Sequence, residues 1–378
     1  MHEVYDLRAD ESRSHDRVGR PVDHQLGAAH VVLAHHIRTR KCGEVVLDRL
    51  DVQALFMGRV LGQTHGPDLG IGEGDLWDVI GICGGGVVAC EAATWLNGLG
   101  VEELTIIEGQ PRLLPRNEPF AGDMVADYLR AAGVRVELGT RVSSVSRPHA
   151  SDAGVGVPHG GEVTVTLNNG QVIVADEMVV AAGRRANSTG IGLASVGLPE
   201  GGYVTVDDHL TVTGVPGEWL YAIGDLNGRA LLTHMGKYQA RIAADVILGR
   251  DARIDGSASG TLSPRVVFTD PQVAAVGHTL ESALAAGIAA RAVDHDTSGV
   301  AGGSFYGRGA DGTSRLVVDE ARRVLVGATF TGPDVAEFVH TATVAIVGGV
   351  TIDQLWHATP SFPTRSEVWL RLLETYGL

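Results

Sequence analysis

A glycine-rich turn between an apolar run and a helical segment is the feature that most restricts the fold of this chain. The run Val79–Cys83 is short and apolar, as in a buried strand, and leads directly into GGGVVA, residues 84–89. The following pattern predicts a helix from about Val87 to Leu99, which Gly100 ends in the C′ position. This order predicts the first turn of a dinucleotide-binding βαβ unit.

Each small residue of the turn has a physical role in that prediction. Gly84 permits the tight turn, Gly86 lets backbone N–H groups approach a pyrophosphate, and Ala89 lets the helix pack closely on the strand. The alternative for the bare motif is a chance glycine-rich turn. Glu108 argues against it, because it ends the next predicted strand, Leu104–Glu108, where a carboxylate would accept hydrogen bonds from the adenosine ribose. A carboxylate there repels a 2′-phosphate, so NAD is favoured and NADP is less expected.

The segments after this turn predict the rest of a compact nucleotide-binding domain. After the strand Leu104–Glu108, an amphipathic helix is predicted at Glu118–Ala132. Five further strands are predicted at Val134–Leu138, Val142–Ser146, Val163–Leu167, Val172–Ala175 and Met178–Ala182. The turn Asn168-Asn169-Gly170 indicates a hairpin between two of those strands. The order βαβαβ, a three-stranded excursion and one more parallel strand is that of a Rossmann-like domain.

The remaining chain divides into further units. Residues 203–250 predict strands Val204–Val206 and Leu220–Ile223 and a helix His234–Leu248, and residues 251–261 read as a Gly/Ser-rich linker. From Arg265 the pattern is that of an α+β domain. We therefore expect an α/β protein with an atypical segment at 1–75, a Rossmann-like NAD(P)-binding domain at 76–195, part of an FAD-binding domain at 196–250 and a C-terminal α+β domain at 262–378.

Charge and cysteine content exclude several classes of function. The formal net charge of −15 argues against nonspecific binding to nucleic acid or to anionic membranes. The three cysteines, Cys42, Cys83 and Cys90, form neither a disulfide framework nor a metal-ligand pattern, so no metal site is expected. The N-terminus is charged and lacks the apolar h-region of a secretory signal, and no stretch of 18 or more uncharged apolar residues could span a membrane. With no disulfide framework, a cytoplasmic protein is expected.

Several ordered segments carry a resemblance to a known family. They are Gly84–Gly100, LTIIEGQPRLLP (104–115), AAGRRAN (181–187), YAIGD (221–225), FTDP (268–271) and FPTRSE (362–367). In this order they resemble the pyridine nucleotide–disulfide oxidoreductases, the two-dinucleotide flavoproteins that include lipoamide dehydrogenase, glutathione reductase and mercuric reductase. The resemblance covers about 300 residues, with Ala186 where the family has Pro.

This resemblance implies FAD as well as NAD, and it implies roles for individual residues. Glu91 would lie beside the nicotinamide riboside, with a surface helix charge as the alternative. Gly183 and Gly224 lie in cofactor-binding motifs, and Asp225 would accept hydrogen bonds from the FAD ribitol, with a plain turn Asp as the alternative.

At the start of the last helix of that region, the backbone N–H groups of Leu232-Thr233-His234 would stabilise negative charge on the reduced isoalloxazine. The His234 side chain itself is expected to cap or pack rather than to transfer protons.

The chain departs from the family in its redox chemistry. The family carries a C-x4-C pair near its N-terminus, and no such pair exists here, so a dithiol–disulfide relay within the chain is not expected. Phe362 replaces the histidine of the C-terminal His–Glu dyad, while Glu367 remains. His357 could approach Glu367, although an ordinary surface histidine is the alternative. The pattern favours electron flow from NAD(P)H through flavin to a small acceptor such as a quinone.

The N-terminal part departs as well, because residues 1–75 contain no Gly-x-Gly-x-x-Gly motif. Only Ala29–Ala34 resembles the family there, as a strand, and we interpret the segment as a truncated or frame-shifted remnant. The alternative function is therefore a catalytically impaired nucleotide-binding scaffold. A homodimer is expected, with the helix Ala336–Val347 either at the interface or buried within its own domain.

Overall fold

The computed structural model describes residues 30–33, 78–150, 160–307 and 310–378. The chain divides into two compact units. The larger unit comprises residues 39–184 and 264–378, and the smaller comprises residues 1–38 and 185–263. The domain boundaries expected from the sequence stay predictions.

The larger unit begins with a four-stranded parallel sheet. Its strands are β2 (Val79–Cys83), β3 (Glu103–Glu108), β4 (Arg135–Leu138) and β8 (Glu177–Val180), in the order β4-β3-β2-β8. Two helices connect the strands, α1 (Val87–Leu99) and α2 (Pro119–Ala131). The strands are short, β2, β3 and β8 are mainly apolar, and each helix ends at or near a glycine, so most of this unit follows from local sequence.

The two faces of this sheet are covered differently. On one face α1 contributes small buried residues, Ala89, Cys90, Ala92 and Ala93, which allow a close approach of helix to sheet. The other face packs against a three-stranded antiparallel sheet of β5 (Val142–Ser146), β6 (Val163–Leu167) and β7 (Val172–Ala175). The fold is therefore α/β with a Rossmann-like parallel sheet, as predicted.

The C-terminal part of the larger unit is an antiparallel sheet with helices. Its strands, in the order β10-β11-β14-β13-β12, are β10 (Arg265–Val267), β11 (Gln272–Gly277), β14 (Val324–Gly332), β13 (Thr313–Asp319) and β12 (Ala290–Asp296). Its helices are α4 (Leu280–Ala285), α5 (Phe338–Val347), α6 (Ile352–His357) and α7 (Glu367–Tyr376). Val267 and Val273 join the core of the parallel sheet, which ties the two parts together.

A buried ionic contact also joins these two parts. Glu118, which precedes α2 and is 1% exposed, accepts a hydrogen bond from the Leu280 N–H at 2.8 Å and pairs with Arg315 at 3.0 Å. Nearby, Arg265 Nε donates to Asn117 Oδ1 at 3.1 Å, and burial lowers the Arg265 pKa to about 10.

The smaller unit contains β1 (His30–Leu33), which pairs in parallel with β9 (Leu220–Ile223), and the helix α3 (Thr233–Ile247). The strand expected within Ala29–Ala34 is confirmed, although most of the segment 1–75 lies outside the described residues.

Two predictions in this unit were wrong. Val204–Val206 is not a strand, because only an isolated bridge joins Val206 to Val212. The segment 251–261 is no simple linker either: it carries short 3₁₀ turns, and its Ile254 and Ala258 are buried. The segment consists mostly of small and polar residues, so its sequence shows no apolar pattern that would predict this packing.

Candidate functional site

The glycine turn at the carboxyl end of β2 has the geometry of a phosphate-binding loop. Gly84 has φ +118°, and a Cβ there would lie 2.6 Å from the Ala181 carbonyl oxygen, so only glycine fits. A Cβ at Gly86 would meet nothing within 4 Å, and Gly86 is the N-cap of α1 without any side-chain cap. The helix therefore begins with no N-cap side chain on its first N–H groups and with free space at Gly86, while Ala89 is fully buried. The residues present fit the pyrophosphate of a dinucleotide.

Glu108 lies directly beside this turn, at the carboxyl end of β3. Its Oε2 accepts the Gly85 N–H, and its Oε1 accepts the Gln110 N–H at 2.7 Å. These bonds hold the carboxylate at the sheet edge, and each oxygen keeps a further lone pair for a ribose hydroxyl. The arrangement fits the adenosine half of a nicotinamide dinucleotide.

Glu91 lies on α1, one turn into the helix, and it is no ordinary surface charge. Its Oε1 accepts the Phe268 N–H at 2.9 Å, which joins α1 to the segment after β10. Burial raises the pKa of the Glu91 carboxyl, and the Phe268 hydrogen bond partly offsets that rise. Its role toward nicotinamide stays a prediction.

The described cysteines are poorly suited to thiol chemistry. Cys90 is buried in α1, and burial, followed by the charges of Glu91 and Glu108, raises the pKa of its thiol far above the usual range. Cys83 ends β2 and is half-buried. Cys42 lies outside the described residues.

The candidate FAD residues of the smaller unit lie on a turn and at a helix start. Gly224 has φ +70° and opens a 3₁₀ turn, Gly224–Asn227, that contains Asp225. Buried Gln239 fixes this turn, because its Oε1 accepts the Gly224 N–H and an Asn227 Nδ2 hydrogen, both at 2.8 Å. Thr233 begins α3, whose N-terminus has no side-chain cap, so its backbone donors suit an anion. These residues fit the ribitol and ring end of FAD.

The remaining predicted positions lie in several elements. Gly183 follows β8 with φ +128°, and a Cβ there would meet nothing within 4 Å. His234 is exposed on α3. Among residues 78–150, 160–307 and 310–378, no group of three or more His, Cys, Asp or Glu side chains is arranged to hold a metal ion. No helix in the same ranges is long and apolar enough to cross a membrane.

At the C-terminus, Glu367 begins α7 and its side chain lacks a full set of partners. It is 6% exposed, and its Oε2 has no hydrogen-bond partner among the residues that the structure describes. Phe362, which replaces the histidine of the family's His–Glu dyad, is 77% exposed. His357 is exposed at the end of α6, and its charge lowers the pKa of Asp353 after the larger effect of Arg323. A pairing of His357 with Glu367 stays untested.

Comparison with known proteins identifies the family. The model described as "Pyridine nucleotide-disulphide oxidoreductase" matches residues 6–241, more than half of the chain, and the model of the dimerisation domain of the same family matches residues 263–372. The chain belongs to the pyridine nucleotide-disulphide oxidoreductase family. The first match begins at residue 6, within the atypical segment 1–75.

Relatives of this chain are dihydrolipoyl dehydrogenases. That of Chlamydia muridarum is 32% identical over 290 residues, 76% of this chain and 58% of the relative. That of Chlamydia pneumoniae is 31% identical over 317 residues, 83% of this chain and 63% of the relative. The chain thus spans less than two thirds of the length of these relatives.

Solved structures show the same fold. LpdA from Mycobacterium tuberculosis superposes with a TM-score of 0.69 at 24% identity, covering 80% of this chain and 62% of that one. The HOCl-induced flavoprotein disulfide reductase RclA from Escherichia coli gives 0.66 at 24% identity, over 79% of this chain and 65% of that one.

Two contacts between distant parts of the chain were missed by sequence reasoning. The Glu91–Phe268 hydrogen bond spans 177 positions of the chain, and the Glu118–Arg315 pair spans 197. For the second contact, Pro119 is a local signal of a helix start, because Pro is favoured in the first turn of a helix. It indicates where Glu118 lies, but not that Glu118 is buried against Arg315.

Proposed function

We infer that this chain is part of an NAD(P)H-dependent flavoprotein oxidoreductase that passes electrons to a small acceptor such as a quinone, without a dithiol relay. The observation that carries this proposal is the open, uncapped start of α1 at Gly86 with the Glu108 carboxylate beside it. Family membership supplies the second cofactor, because the family typically binds FAD and NAD(P). The activity of the whole protein is a proposal, since the chain spans 58% and 63% of two relatives.

Glu108 supports NAD as the preferred nicotinamide cofactor, because its carboxylate would accept ribose hydroxyls and oppose a 2′-phosphate. In this proposal Glu91 contacts the nicotinamide riboside, and Gly183 lies in the cofactor-binding motif after β8. Asp225 holds the ribitol, and the uncapped start of α3 at Thr233 faces negative charge on the ring system. FAD, when bound, would supply the transfer of two electrons from nicotinamide to the acceptor.

The lack of a dithiol relay has two supports. The sequence contains no C-x4-C pair, and the thiol of Cys90 is buried with a raised pKa. Phe362 stands where a histidine would complete the dyad, and the Glu367 carboxylate has an unpartnered oxygen among the described residues. A histidine–glutamate pair serves proton transfer to and from thiols, so the loss of the histidine is consistent with the loss of the cysteine pair. If a histidine contributes, His357 is the candidate.

The domain proposal follows the sequence: NAD(P) binding at 76–195, the second part of the FAD domain at 196–250, dimerisation at 262–378 and an atypical segment at 1–75. A homodimer is proposed because the dimerisation domain matches residues 263–372. The alternative function is a nucleotide-binding dimeric scaffold, favoured by the lack of a Gly-x-Gly-x-x-Gly motif in residues 1–75.

The test is to purify the full chain, add FAD and measure the visible absorbance of the bound flavin. The proposal expects a flavin band that NADH bleaches and a quinone restores, unaffected by a thiol-alkylating reagent. A protein that binds NAD⁺ yet takes up no FAD would support the scaffold. Sensitivity of the quinone reaction to alkylation would contradict the absence of a thiol relay.

A further inference from the structure

An arginine outside the nucleotide motifs, Arg141, lies at the same sheet edge as Glu108, over the backbone of the next residue, Gly109. In register, Leu138 at the end of β4 pairs with Glu108 at the end of β3, and Arg141 follows three residues later at the same sheet edge. A Cβ placed on Gly109 would lie 2.9 Å from Arg141 Nε, so the Arg141 side chain lies over the Gly109 backbone. This position adjoins the place proposed for the adenosine ribose.

The backbone around Arg141 is held on two sides. Thr140 N–H donates to the Glu108 carbonyl at 3.0 Å, and Gly139 N–H donates to the Gln110 carbonyl at 2.9 Å. From the β6–β7 hairpin turn, Asn168 accepts the Arg141 N–H through Oδ1 at 3.0 Å and donates its own N–H to the Arg141 carbonyl at 2.9 Å. The Asn168-Asn169-Gly170 turn thus fixes the backbone of Arg141 at this edge, from which its side chain extends over Gly109.

The guanidinium of Arg141 is exposed, and among the described residues it makes no hydrogen bond or ion pair. Neighbouring arginines are already engaged: Arg112 donates to the Pro115 carbonyl at 3.0 Å, and Arg147 pairs with Glu177 at 2.6 Å. In a chain of net charge −15, an uncommitted cation over Gly109, next to the residue proposed to bind the ribose, points to an anionic ligand group.

We propose that Arg141, positioned by Asn168, binds the 2′-phosphate of NADP(H), so that this site accepts NADP(H) as well as NAD(H). The inference rests on the proposed nicotinamide site and refines its selectivity. A lone carboxylate at Glu108 would exclude a 2′-phosphate, whereas an arginine nearby accommodates one. Charge-assisted hydrogen bonds from a guanidinium to phosphate offset the repulsion from Glu108.

The experiment compares the binding of NAD⁺ and NADP⁺, which differ only in the 2′-phosphate, to the full chain by isothermal titration calorimetry. The wild-type protein is expected to bind the two within about tenfold. R141A should weaken the binding of NADP⁺ by roughly tenfold, the contribution of one charge-assisted hydrogen bond, and should weaken the binding of NAD⁺ much less. N168A should change NADP⁺ binding in the same direction by a smaller factor.

R130A is the matched control, because Arg130 is a partly exposed arginine at the far end of α2, and it should leave both affinities unchanged. Thermal unfolding of each variant separates binding effects from loss of fold. Equal weakening of both cofactors by R141A would indicate stacking on adenine and overturn the proposal, as would a wild-type protein that binds NAD⁺ but not NADP⁺. Failure to bind NAD⁺ at all would instead contradict the proposed function.

Discussion

At the scale of single residues, Gly84 and Gly86 stand two positions apart, yet a methyl group would meet different surroundings at each. G84A places a Cβ 2.6 Å from a carbonyl oxygen at φ +118°, so we expect a loss of stability of about 1–3 kcal/mol or more. The Cβ of G86A meets nothing within 4 Å, so its cost should be smaller, about 0.5–1 kcal/mol, because alanine is a poorer N-cap than glycine. It should nevertheless weaken NAD⁺ binding, because the Cβ occupies space before the α1 donors. Thermal unfolding and calorimetry of both variants check this pair; a G86A protein with unchanged NAD⁺ affinity would argue against the phosphate site.

Glu91 gives a pH dependence at the same scale. Because burial raises its folded-state pKa, the folded protein binds that proton more tightly than the unfolded chain. Stability from this group is therefore present below the unfolded pKa and is lost as the pH rises through the folded pKa. E91Q keeps an oxygen to accept the Phe268 N–H and has no charge to bury. Relative to wild type, its melting temperature should rise from acidic to neutral pH; a constant difference would contradict the burial argument.

At the scale of elements, Arg315 joins β13 to the start of α2 and to β12 through two carboxylates of unlike exposure. Asp294, with a side chain 45% exposed, has the larger effect in raising the Arg315 pKa, whereas the Glu118 side chain is 2% exposed. Stability depends more on the buried partner, since losing Glu118 leaves the Leu280 N–H and the Nη1 of Arg315 without their acceptors. We expect E118A to cost roughly 2–4 kcal/mol and D294A about 0–1 kcal/mol in the free energy of unfolding. Urea denaturation of the two variants measures both, and equal costs would show that the Glu118 contact does not hold α2 against the C-terminal sheet.

At the scale of the whole molecule, the exposed face of α5 is a candidate for the dimer interface. Within this helix Val344 is 56% exposed and Val347 is 48% exposed, whereas Ala342 and Ala345 are buried, so one face packs inward and the other presents valines. If α5 lies at the dimer interface, V344E should raise the dimer dissociation constant at least tenfold, because a buried unpaired charge is costly. L284E, at a leucine of α4 that is 54% exposed, serves as the control. Sedimentation velocity distinguishes the outcomes: a V344E protein that dimerises as the wild type would place the interface elsewhere.

Much of this fold could be predicted from the sequence because its signals are local. The bounds of β2, α1, β5, β6, β7 and β9 agree with the predicted ones, since apolar runs bounded by glycine, asparagine or charged residues define both ends of those elements. The start of α2 lay within one residue because Pro119 favours a first helical turn. Where single apolar residues among small and polar ones pack inward, as at Ile254 and Ala258, the pattern failed because burial there depends on neighbours distant in the chain.

The sequence by itself determined the parallel sheet, the Gly84–Ala89 turn and the carboxylate at the end of β3, since each depends on backbone preferences and the spacing of a few adjacent residues. Only the tertiary structure decided what surrounds them: Phe268 on Glu91, Arg315 on Glu118 and Asn168 on Arg141. These contacts join residues 27 to 197 positions apart. Their partners are chosen by how sheets and helices pack, and a hydrogen bond between distant segments leaves no periodic trace in the chain.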